Sequence, residues 1–73
     1  MNASAPVAEV IRMWEEVLGI EDIGENDDFF ELGGTSIAAI RLVPLLEDRF
    51  GVDVDVTLVF DAATPAALAS RLR

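Results

Sequence analysis

Apolar residues recur three or four positions apart in three separate stretches of this chain, and that period belongs to helices with one buried face. Val7, Val10, Ile11, Trp14, Val17 and Leu18 form the first face, with Glu9, Arg12, Glu15 and Glu16 opposite and Gly19 as the stop. Ala39, Leu42, Val43, Leu46 and Phe50 form the second, in a helix expected from about Ser36 to Phe50 and ended by Gly51. Pro65, Leu68, Ala69 and Leu72 form the third, opened by Thr64-Pro65, an N-cap residue followed by proline at the first helical position. Val52, Val54 and Val56 alternate with Asp53 and Asp55 as a strand would, but there is no second strand to pair with it. That stretch reads as an extended linker leading to a short helix, capped by Thr57 and running to Phe60 or Asp61. The expectation is an all-α fold, a small four-helix bundle of three main helices plus one short helix, with a long first loop.

Seventy-three residues suffice for one core, and 52% apolar residues are enough to fill it. Residues 1–6 read as a flexible tail and 7–73 as the single domain. Without cysteine there is no disulfide framework and no thiolate metal site. Apolar runs are too short to span a membrane, and no signal-like segment opens the chain, so a cytoplasmic setting is expected. Fourteen acids against five arginines give a net charge of −9, which opposes binding to nucleic acid or anionic lipid. A partner with a basic docking face suits it better.

Residues 20–35 make a long acidic connection, anchored by Ile20, Ile23, Phe29, Phe30 and Leu32 and with a short helical turn near Asp27 to Phe30. It ends in Gly33-Gly34-Thr35-Ser36, where two glycines give way to hydroxyl residues at the start of an apolar helix. A serine there is either a plain N-cap or an exposed acceptor for a group that another enzyme delivers. The helix that follows carries a spare stripe, Ile37, Ile40 and Pro44 with Arg41 among them. Either the long loop covers it, or it is an apolar surface for partners. Pro44 should bend or loosen the helix, because it removes a backbone hydrogen bond.

Several chemistries are excluded by the residues present. A serine nucleophile needs a base, and the chain has neither His nor Lys; the second glycine of a nucleophile elbow is also missing. Asp53, Asp55 and Thr57 mimic the start of a calcium loop, but Leu58 and Thr64 stand where its glycine and closing glutamate belong. No Gly-Lys-Ser/Thr follows Gly33-Gly34, so no P-loop is present. The remaining acids read as a solvated face. No metal site is expected, and Ser36 is a site that is modified, not one that attacks.

The run Asp28-Phe29-Phe30-Glu31-Leu32-Gly33-Gly34-Thr35-Ser36-Ile37 resembles the D-x-F-F-x-L-G-G-x-S-[LI] signature of phosphopantetheine-dependent carrier proteins. The closest likeness is to the peptidyl carrier proteins, or thiolation domains, of nonribosomal peptide synthetases. Val10 to Leu18 resembles their first helix, Arg49-Phe50-Gly51-Val52 their second-helix exit, and Phe60 to Pro65 their F-x-x-P-T region. The likeness covers about residues 7–73. Thr35 departs from the more usual His or Asp, and Ala63-Thr64-Pro65 reverses the usual proline–threonine order.

The resemblance implies that a phosphopantetheinyl transferase, with Mg²⁺, moves 4′-phosphopantetheine from coenzyme A onto Ser36, flanked by Gly34 and Thr35. An adenylation enzyme would then load an amino or aryl acid as a thioester, for condensation, tailoring or thioesterase enzymes in nonribosomal peptide or related biosynthesis. The chain itself would be a non-catalytic monomer. Ile37, Ile40 and Arg41, joined by Leu58 and Val59, are the expected docking residues. Met1 and the lack of a flanking linker lean towards a free-standing protein. The alternatives are an acyl carrier of polyketide or fatty-acid type, which Gly33-Gly34 and Phe29-Phe30 disfavour, and a small helical interaction domain in which Ser36 is only a cap.

Overall fold

The structure is a computed structural model that describes residues 5–72. Four helices follow in order: α1 (Ala5–Leu18), α2 (Ser36–Phe50), α3 (Val56–Asp61) and α4 (Pro65–Arg71). No strand occurs among the described residues. Of the expected tail, residues 1–4 lie outside the described residues, and α1 already begins at Ala5, two residues before its apolar repeat. Pro6 sits in the first turn, where its missing N–H is no loss.

The core lies between α1, α2 and α4, with α1 packed against both of the others and α3 against α2. Val10 and Trp14 of α1, Leu42 and Leu46 of α2, Val59 of α3, Pro65 and Leu68 of α4, and Phe29 of the long loop are fully buried. Burying each such side chain contributes about 1.5–3 kcal/mol. Val43 and Phe50, expected on the buried stripe of α2, are only half-buried at its margin. The Trp14 indole N–H meets no acceptor among the described residues.

Carboxylates pin the connections to this core. Glu15 Oε2 accepts from the backbone N–H groups of Asp22 (3.1 Å) and Ile23 (3.4 Å), just after the left-handed Asp22 (φ 63°). Glu47 Oε2 accepts from Val54 N–H at 2.9 Å and so holds the segment between α2 and α3. The long loop is also tied to the far end of the chain: Ala66 N–H donates to Glu25 O (2.9 Å) and Phe29 N–H to Ala63 O (2.7 Å).

One sequence expectation shifts. The cap of α3 is Asp55, not Thr57, because the aspartate carboxylate accepts both the backbone N–H and the hydroxyl of Thr57, each at 3.0 Å. Those two bonds, the backbone one first, hold the Asp55 carboxyl below its ordinary 3.8. Helix α2 runs unbroken through Pro44. Both Pro44 and Ile40, whose carbonyl loses its amide partner there, are on the exposed face, where water can replace the lost bond. Thr64 caps α4 as expected, its hydroxyl accepting from Ala67 N–H at 3.2 Å, and Leu72 is buried just past the helix end.

Candidate functional site

The serine is delivered by a single tight turn. Asp28 Oδ2 accepts from the N–H groups of Phe30 (2.9 Å) and Glu31 (3.0 Å), and Leu32 N–H returns to Asp28 O at 3.0 Å. The turn therefore occupies Phe29 to Gly33, slightly later than the Asp27 to Phe30 expected. Its end requires two glycines for two different reasons. Gly33 has φ +100°, a conformation that side chains rarely adopt. Gly34 has an ordinary φ but no room: a Cβ would lie 2.5 Å from two ring carbons of Phe29 and 2.6 Å from its carbonyl oxygen. Gly34 N–H donates to that same oxygen at 2.9 Å.

Thr35, not Ser36, caps α2. Its backbone is extended and its hydroxyl accepts from Ala38 N–H at 3.1 Å. The plain-cap reading of Ser36 is thereby corrected. Ser36 is the first helical residue, exposed, with its hydroxyl outside the cap. No acidic side chain lies in the first turn of α2, so the positive end of a fifteen-residue helix faces the serine unopposed.

Around it the spare stripe is open to solvent. Ile37 is 66% and Ile40 59% exposed, and Arg41 and Pro44 are exposed with them. The long loop does not cover this face. Leu58 is half-buried. Val59 is completely buried and is withdrawn as a docking residue: a six-residue helix packed on α2 must turn one side inward, and Val59 takes that side. The exposed large apolar residue of α3 is its neighbour Phe60, 45% exposed, which sequence reasoning missed. With fewer than two turns, no apolar period in α3 shows which face is inward.

An aromatic series runs from the core to that surface. Trp14 meets Phe29 edge-to-face (centroids 4.9 Å, 75°), Phe29 meets Phe30 likewise (5.3 Å, 85°), and Phe30 stacks on Phe60 (5.2 Å, 4°). Among the described residues no three acids or other ligating groups converge as a metal site, and no helix is long and apolar enough to cross a membrane.

Fold and site together define a small helical domain that presents one serine at a helix start beside an apolar surface. The family model described as phosphopantetheine attachment site matches residues 8–72. The chain belongs to that family.

Tyrocidine synthase 3 of Brevibacillus parabrevis is 47% identical over 62 residues, which are 85% of this chain and 1% of the synthase. The adenylation–peptidyl carrier structure of McyG complexed with phenylalanyl-adenylate matches with TM-score 0.92 and 37% identity, over 96% of this chain and 11% of that one. A peptidyl carrier protein, in the structure of the phosphopantetheine transferase Sfp with coenzyme A, matches with TM-score 0.91 and 28% identity, over 97% of this chain and 92% of that one.

Proposed function

We propose that this chain is a peptidyl or aminoacyl carrier in nonribosomal peptide or related biosynthesis, with Ser36 as the attachment site of 4′-phosphopantetheine. The observation that carries it is the division of labour at the head of α2: Thr35 takes the cap, which leaves the Ser36 hydroxyl exposed and uncommitted. The residues fit the group. A phosphodiester on Ser36 Oγ would meet the positive end of α2 with no carboxylate in that first turn.

The chain supplies the acceptor and its placement; the enzyme that modifies it supplies the base, because no His or Lys is available here. As the serine Oγ–P bond forms, a phosphoanhydride bond of coenzyme A breaks, its nucleotide half leaves, and the serine proton passes to the transferase. Once attached, the arm supplies the thiol that a cysteine-free chain lacks. Exposed Ile37, Ile40 and Arg41 offer the surface on which a transferase, an adenylation enzyme and the condensation, tailoring or thioesterase enzymes alternate. Tethering the cargo raises its effective concentration at each of them. The relatives at which the chain matches peptide synthetases support the peptidyl over the acyl type.

The test is intact mass after incubation with a phosphopantetheinyl transferase, Mg²⁺ and coenzyme A. The wild-type chain should gain the mass of one arm and Ser36→Ala none. An Ala variant that still gains it moves the acceptor elsewhere, with Thr35 the first suspect.

A further inference from the structure

Phe60 is nearly half exposed, yet its ring is built into the turn that delivers Ser36. It stacks on Phe30 with planes 4° apart, and Phe30 leans edge-on against Phe29. The ring and carbonyl of Phe29 fill the space beside Gly34, where a Cβ would come within 2.5 Å. Ser36 follows two residues later. A second tie runs through the backbone: Phe29 N–H donates to Ala63 O at 2.7 Å, two residues past the end of α3. The end of the short helix thus grips the serine turn twice, once ring to ring and once by a hydrogen bond.

We infer that Phe60 and Phe30 are positioning residues for group transfer at Ser36. A transferase surface that presses on the open face of Phe60 displaces the end of α3, and Phe30, Phe29 and Gly34 pass that displacement to the serine. The fold makes α3 the element able to move. It has six residues and one fully buried side chain, Val59, and it packs on α2, whereas α1 is held by both α2 and α4. The contacts downstream of Phe60 cannot absorb a shift. Phe29 is fully buried between Trp14 and Phe30, and its ring leaves no room beside Gly34 for even a Cβ. This inference rests on Ser36 being the acceptor, but its first readout does not.

The experiment compares Phe60→Ala, Phe60→Leu and Phe60→Tyr with wild type. In the free chain, backbone amide shifts and hydrogen exchange are measured at Gly33, Gly34, Thr35 and Ser36. Transfer from coenzyme A is then measured as separate kcat and KM. Phe60→Ala and Phe60→Leu should move the Gly34 to Ser36 amides, speed exchange at Gly34, and lower kcat by about three- to tenfold, the span of one lost aromatic pair. Phe60→Tyr keeps the stack and should restore both. Leu keeps most of the apolar bulk, so it guards against simple loss of folding. Unmoved Gly34 to Ser36 amides in Phe60→Leu, or a loss confined to KM, would make Phe60 a contact surface only and overturn the inference. Should the wild-type chain accept no arm at all, the proposed function fails, while the amide measurement still decides whether Phe60 governs the turn.

Discussion

Replacing Gly34 with Ala isolates one physical effect, because the backbone at Gly34 is one any residue can adopt and only space is lacking. The new methyl would stand 2.5 Å from Phe29 Cδ2 and Cε2 and 2.6 Å from Phe29 O, against an optimum of about 3.5–4.0 Å between carbons. Something must therefore yield by roughly 1 Å. The ring is hemmed in by Trp14 and Phe30, and the oxygen belongs to the backbone. Overpacking of this kind costs about 1–3 kcal/mol. Stretching the Gly34 N–H bond to Phe29 O adds about 0.5–1.5 kcal/mol, and the stiffer unfolded chain returns about 0.4–1 kcal/mol. The net is a loss of about 0.5–4 kcal/mol, or a Tm lower by roughly 2–30 °C for a domain of this size. Far-UV circular dichroism melts of the unmodified chain measure it. Gly33→Ala is the companion, since nothing lies within 4 Å of its Cβ and its cost is φ +100° alone, about 1–2 kcal/mol. Phe29→Leu combined with Gly34→Ala should show positive coupling but incomplete rescue, because the carbonyl clash persists. A Gly34→Ala chain melting at or above the wild-type temperature would refute the packing argument.

Other expectations concern the caps and the surface. Thr35→Ala should lower stability by about 1 kcal/mol, roughly 4–8 °C in Tm, whereas Ser36→Ala should scarcely move the melt; the reverse order would return the cap to Ser36. Ile40→Asp should stay folded, with Tm within a few degrees of wild type, yet slow arm transfer about tenfold or more; a collapse of the melt would place that stripe in the core. Asp55 should titrate below 3.8 when its carboxyl is followed by NMR. Its folded pKa is depressed, so its contribution is full above the unfolded value and disappears as pH falls through the folded one. A titration midpoint at or above 3.8 would remove the two Thr57 bonds from the account.

Local chemistry was legible in the sequence and distant contacts were not. Thr64-Pro65 announced α4 because an N-cap and a first-turn proline act within one helical turn. The start of α2 at Ser36 is legible in the sequence, but Thr35 and Ser36 both offer a hydroxyl, and only the extended backbone at Thr35 decides which one caps. At α3 the strand-like alternation of Val52, Val54 and Val56 masks Asp55, whose side chain can accept from the backbone two residues on, as an aspartate in a turn does. Glu15 and Glu47 were assigned or left to solvent, yet each accepts from backbone seven or eight residues away. The need for glycine at Gly34 depends on where the Phe29 ring comes to rest, and no local pattern encodes that.

Trp14 gives this arrangement an optical consequence. It is the chain's one tryptophan, there is no tyrosine, and its indole is fully buried edge-on to Phe29. Nearly all intrinsic emission therefore comes from a single dry ring lying one side chain beneath Gly34. Light from an unlabelled chain reports on the floor under the serine, and water reaching that floor would register as a red shift without any dye attached to the exposed apolar face around Ile37 and Ile40.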